Sequence, residues 1–136
     1  MIHSDFQLRP IGIVRSALTD IRDCPHQEDE DAPGACVDID PEYSEALKGL
    51  KPGDEILIMT WLHLADRSVL TVHPRGNPEN PVRGVFATRS PHRPNPIGLH
   101  RTRILSVVSP HRLQVRPLEV VDKTPVVDIK PVLTGH

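Results

Sequence analysis

No apolar run in this 136-residue chain approaches the roughly 20 residues of a membrane span. The N-terminus, MIHSDFQLRP, lacks the apolar core of a signal peptide. A cytoplasmic location is the resulting expectation. Neither GxGxxG after a strand pattern nor GxxxxGK followed by Ser or Thr occurs, so the usual dinucleotide and P-loop signatures are excluded. GxSxG is missing too. Cysteine is scarce: Cys24 and Cys36 form no Cys-x-x-Cys pair and, in a cytosolic chain, are expected to remain thiols. With His26 they offer three metal ligands, but the spacing fits no common zinc pattern and no fourth ligand stands out. No metal is therefore expected. There is no internal repeat and no linker, which predicts one domain over residues 1–136.

Acids are missing from one long stretch. Between Glu79 and Glu119 the chain carries seven arginines (Arg83, Arg89, Arg93, Arg101, Arg103, Arg112, Arg116), no lysine and no carboxylate. Residues 20–55 show the opposite bias, 12 acids against three basic residues, so the formal net charge of -2 conceals an asymmetry. Two readings are open. The opposed surfaces attract each other across a subunit contact, or the arginines form a basic face for phosphate or nucleic acid. Arginine without lysine favours planar, bidentate recognition. The acidic run Glu28-Asp29-Glu30-Asp31 reads, by itself, as a solvated loop.

Proline, by contrast, is abundant, at 15 of 136 residues, against an average of about 5%. The prolines are dispersed through apolar segments, as in a protein of short strands joined by turns. Strand patterns run over residues 11–14, 35–39, 55–63, 69–73, 85–88, 97–108 and 113–121, and residues 124–131 close the chain. Asp40-Pro41, followed by Ala46, Leu47 and Leu50 on one face, predicts a short helix capped by Asp40. Short strands with little helix point to a β-barrel or sandwich. Without long helices between the strands, a doubly wound parallel sheet is excluded.

The densest chemistry lies in residues 84–99, GVFATRSPHRPNPIGL. Pro91, Pro94 and Pro96 fix φ and stiffen the loop. A rigid loop carrying Arg89, Ser90, Arg93 and Asn95 reads as a preorganised site for an anionic or planar polar ligand. Arg89 has a second reading, a structural clamp on nearby carbonyls, which the five donors of a guanidinium suit.

GVFATRS at residues 84–90 and RPNPIG at 93–98 closely resemble the signature of the TsaA-like (TrmO) family. PIGIVRS at 10–16, Pro25-His26-Gln27 and LEVVDKTPVVDIKP at 118–131 agree with it, so the resemblance covers nearly the whole chain. It implies a mainly β, small single-domain barrel with one short helix. It also implies binding of S-adenosylmethionine without a Rossmann domain, and a homodimer. The implied activity is methylation of N6 of threonylcarbamoyladenosine beside the anticodon of tRNA. A barrel that binds the cofactor without transfer, or a methyltransferase for another RNA or a small molecule, is the alternative.

The same resemblance places the cofactor against Gln27, Glu28 and Asp29, against His63 and Leu64, and against Arg89, Leu99, Arg116, Pro117, Leu118 and Glu119. Leu99 would pack on adenine, and Glu119 suits ribose hydroxyls or an ammonium. Arg93, Asn95 and Arg101 are assigned to the substrate. The acceptor nitrogen is acidified by its acyl substituent, so a modest base suffices. His63 and Asp128 are the candidates, and Asp128 has the competing role of holding the closing segment. His100-Arg101 stands where many members carry small or apolar residues. Longer bacterial relatives have a C-terminal extension that helps engage tRNA, whereas this sequence stops at His136.

Overall fold

The computed structural model describes residues 5–16 and 34–133. Six antiparallel strands close into a barrel in the order β1-β2-β7-β6-β3-β8. They are β1 (Gly12–Ser16), β2 (Ala35–Ile39), β3 (Glu55–Trp61), β6 (Ile97–Ser109), β7 (Arg112–Arg116) and β8 (Pro125–Pro131). The short strands β4 (Thr71–Val72) and β5 (Arg83–Gly84) pair as a separate ribbon. No helix among the described residues is long and apolar enough to cross a membrane.

Alternation builds the core. In β3 every second residue is buried, which sends Ile56, Ile58 and Thr60 inward and Glu55, Leu57, Met59 and Trp61 outward. Val14, Val37, Ile104, Leu113, Val115 and Val126 complete an aliphatic interior with at most 1% exposure each. Each such side chain contributes about 1.5–3 kcal/mol on burial. Closure leaves the six barrel strands without a free sheet edge.

Direction around the barrel decides where the loops fall. Because neighbours alternate, β1, β3 and β7 all leave through one end. The described connections at that end are residues 62–96 and 117–124. These two segments carry most of the functional candidates that lie among the described residues. The opposite end is closed by the 3-10 helix Pro41–Leu47 and the β6–β7 turn.

Several expectations need correction. The segment after Asp40 is a 3-10 helix, and Asp40 makes no side-chain cap. Its backbone carbonyl instead accepts from the Tyr43 amide at 2.8 Å. Residues 85–88 are not a strand: Val85–Ala87 forms a 3-10 turn. The Val85 carbonyl, which a strand would offer to a neighbour, is claimed by the Thr88 amide and hydroxyl and by Arg93. The strand expected over 69–73 shrinks to two residues, and that expected over 113–121 stops at Arg116, where Pro117 offers no amide to continue the ladder. Cys36 is disulfide-bonded, not a thiol.

β1 and β2 approach closely at Gly12. A Cβ there would collide with the Asp38 carbonyl and lie 2.9 Å from Ile39 Cα, both backbone atoms with little freedom to retreat. Gly12→Ala is expected to destabilise the fold by about 1–3 kcal/mol, the usual scale for overpacking. Urea denaturation reads this directly, and an unchanged midpoint would contradict it.

Candidate functional site

The loop 88–96 is tied down at nearly every residue. Arg93 Nη1 donates to the Thr88 carbonyl at 3.3 Å and the Ser90 carbonyl at 3.0 Å, while Nη2 donates to the Val85 carbonyl at 3.0 Å. The same guanidinium lies 6.0 Å from the centre of the Phe86 ring. Thr88 Oγ1 accepts from the Ser90 amide at 3.1 Å, and Ser90 Oγ accepts from the His92 amide at 3.2 Å. On the far side, Arg67 Nε donates to the Pro94 carbonyl at 2.7 Å and Nη2 donates to Asn95 Oδ1 at 3.1 Å. Arg67 also stacks on Trp61, 5.1 Å from its ring centre. Pro96 is buried, and its carbonyl accepts from the Leu62 amide at 2.8 Å.

This network sorts the arginines. The carbonyl clamp considered for Arg89 belongs instead to Arg93, whose donors hold the loop rather than a substrate. Arg89 is exposed and has no hydrogen-bond or ion-pair partner among the described residues. Arg101, assigned to the substrate, pairs with Glu55 Oε2 at 2.6 Å, and Arg103 takes Oε1 of the same carboxylate at 2.9 Å. The hydrogen bond from Arg101, followed by the attraction of both guanidiniums, holds Glu55 below the ordinary carboxylate range. Arg112 and Arg15 converge on Asp38 at 3.0 and 2.9 Å. Burial pushes that carboxyl up, but the two arginines together outweigh it and its pKa is lowered. Acids and arginines of the two biased stretches thus meet within one barrel.

The remaining candidates divide by position. His63 and Leu64 lie exposed in the turn after β3, with His63 unpartnered among the described residues. At the end of β7, Arg116 is half-buried, Pro117 exposed and Leu118 part of the core. Glu119 is exposed, with no hydrogen bond or ion pair among the described residues. Leu99 faces outward, 47% exposed, in register with Met59, which is in register with Asp128 on the next strand. Asp128 accepts from the Ile129 amide at 2.9 Å and pairs with Lys130 at 3.3 Å. No hydrogen bond or ion pair joins it to His63. Gln27, Glu28 and Asp29, with Cys24 and His26, lie outside the described residues.

Two concave surfaces flank the loop. One is an apolar cleft of about 500 Å³ between Phe6, Leu8, Trp61, Ile97 and Val127, with Arg67 and Asn95 at its polar side. The other is a larger groove of about 1080 Å³ bordered by Arg89, Ser90 and His92. Arg67 is the functional residue that sequence reading missed. No local pattern marks it, because its partners lie 27 and 28 residues away.

His100 faces inward on β6 and shares a 2.8 Å hydrogen bond with Thr60 Oγ1. Gly98 makes room for this pair: a Cβ there would strike Thr60 Oγ1 and sit 2.7 Å from His100 Nε2. Burial lowers the imidazole pKa from 6.5. The unfolded chain therefore takes up a proton first as pH falls. The stability contributed by the neutral ring is complete above that value and lost as pH drops through the folded pKa. Between about pH 7.5 and 5, the wild-type urea midpoint is expected to decline more steeply than that of His100→Gln. Equal slopes would contradict a buried neutral His100.

The tRNA-methyltransferase O N-terminal domain model matches residues 13–135. A probable S-adenosyl-L-methionine-binding protein of Methanothermobacter thermautotrophicus is 42% identical over 131 residues, covering 96% of this chain and 93% of its own length. An S-adenosyl-L-methionine-binding protein of Archaeoglobus fulgidus is 42% identical over 123 residues, covering 90% and 86%. Among solved structures, TrmO from Pseudomonas aeruginosa superposes with a TM-score of 0.69 at 30% identity over 97% of this chain. The chain spans just over half, 56%, of that solved chain.

Proposed function

This chain belongs to the family of the tRNA-methyltransferase O N-terminal domain, and we propose from that premise that it is an S-adenosylmethionine-dependent methyltransferase acting on tRNA. The observation that carries the reading is Arg89, an uncommitted cation on a loop that the rest of the protein holds rigid. The acceptor we infer is N6 of threonylcarbamoyladenosine beside the anticodon. Cytoplasmic action, where tRNA is found, belongs to the same reading.

The available groups fit the cofactor. Arg89 and Glu119, opposite in charge and without partners among the described residues, suit the carboxylate on one hand and the ammonium or ribose hydroxyls on the other. Exposed Leu64 and Leu99 offer apolar surface for adenine. The segment 116–119 supplies backbone polar groups at the same barrel end, and Gln27, Glu28 and Asp29 complete the cofactor contacts that we infer. The bound cofactor supplies an activated methyl on a sulfonium. The protein's task is to hold acceptor and cofactor in line, where positioning is the main contribution to rate. His63, exposed and unpartnered, is the better placed base. Asp128, engaged by Ile129 and Lys130, serves the closing strand. Asn95, latched by Arg67, borders the apolar cleft where a substrate base could enter.

A homodimer that shares this site accords with the outward apolar row of Ile97, Leu99 and the cleft residues. Sedimentation as a monomer would contradict it.

Calorimetry with S-adenosylmethionine tests the cofactor assignment. Removing one charge-assisted contact of about 1.5–3 kcal/mol predicts a loss of about 10- to 100-fold in affinity for Arg89→Ala. Unchanged affinity removes that residue from the site. Transfer of tritiated methyl to threonylcarbamoylated but not unmodified tRNA is the expected activity. Binding without transfer to either would identify a cofactor-binding protein that is not an enzyme.

A further inference from the structure

The seven arginines between Glu79 and Glu119 do not make one basic face. Arg101 and Arg103 are paired with Glu55, Arg112 with Asp38, and Arg93 with backbone carbonyls. Arg83 and Arg89 have no hydrogen-bond or ion-pair partner among the described residues, and both border the 1080 Å³ groove. Arg75, from outside the stretch, joins them and is likewise unpartnered there. Among the described residues no carboxylate lines the groove, and Glu79 of the neighbouring loop is not part of its wall. Arg75 and Arg83 thus bring two uncommitted guanidiniums to one concavity, whose edge they share with Arg89.

Two further observations define what fits. Arg75 adopts φ 59° and ψ 21°, the left-handed region that a non-glycine residue enters at a cost in strain. Its side chain is exposed. Phe86, next in the chain to Ala87 of the groove wall, is 80% exposed. Arg93 supports the ring, which remains open to solvent. Single-molecule pockets span about 300–1,000 Å³, so an open groove at the top of that range suits a length of chain. Cations that follow a backbone, with an exposed aromatic platform, are how unpaired nucleic acid is bound.

We propose that this groove binds the phosphodiester backbone of an unpaired RNA segment through Arg75 and Arg83, with Phe86 as a stacking platform for a base. The inference rests on the reading of the acceptor as RNA and assigns it a surface that adjoins the proposed cofactor site at Arg89.

Filter binding of bulk tRNA to the full chain, over a series of salt concentrations, tests it. The double variant Arg75→Gln/Arg83→Gln is expected to lose at least tenfold in affinity, and the slope of log K against log salt to become shallower by about 0.7 per arginine. Calorimetric affinity for S-adenosylmethionine should be unchanged, because neither residue is assigned to the cofactor. Phe86→Ala is expected to weaken tRNA binding without altering the salt slope. An unlabelled single-stranded oligonucleotide should compete better than a duplex of equal charge. Wild-type affinity and slope in the double variant overturn the groove and leave the methyltransferase reading standing. Equal competition by duplex overturns the unpaired-segment assignment. Wild-type protein that binds no RNA overturns the acceptor reading itself, and the groove with it.

Discussion

One guanidinium fixes the site loop. Arg93 reaches three carbonyls, of Val85, Thr88 and Ser90, and so sets the path of the chain on both sides of Arg89. Hydrogen bonds from a charged donor are worth about 1.5–3 kcal/mol each where they are sheltered, against about 1–2 kcal/mol to order each backbone residue. Proline lowers that entropic cost at Pro91, Pro94 and Pro96 by restricting the unfolded chain. The result is a loop whose shape is settled before any ligand arrives. Arg89 then presents its charge without a rearrangement that would subtract from binding.

The barrel supplies the other constraint. Strict alternation of strand direction sends residues 62–96 and 117–124 to one end, so segments far apart in sequence become neighbours by topology. Arg67 couples the strand end to the loop, stacking on Trp61 and gripping Pro94 and Asn95. Charge pairs elsewhere on the wall, Glu55 with Arg101 and Arg103 and Asp38 with Arg15 and Arg112, commit four arginines of the barrel strands to the fold. Arg67 and Arg93 are committed to the loop itself.

Much of this was legible in the residues. The strand over 35–39 matches its expected bounds, because β-branched and small apolar residues there are bracketed by Gly34 and Asp40-Pro41. The long strand from Ile97 was visible as period-two alternation, and the rigid loop was visible in its prolines. Partners across the fold were not. Nothing in the spacing of Arg89 and Arg93 told which would clamp and which would remain free. Residues 85–88 have strand composition, yet the Val85 carbonyl is taken by tertiary contacts that no local pattern contains. Asp40 has the right chemistry for a cap, but the 3-10 turn that follows uses its carbonyl instead. The barrel was favoured over a sandwich by family resemblance, since strand patterns alone are common to both.

Everything turns on whether the clamp on 85–90 prepares the cofactor site. Titrating S-adenosylmethionine into Arg93→Lys protein asks this most directly, since lysine keeps the charge but cannot span three carbonyls with a planar fork. The account predicts a loss of at least about tenfold in affinity, about 1.4 kcal/mol, with the barrel still folded by circular dichroism. Wild-type affinity in that variant would show that the loop needs no such clamp, and would contradict the account.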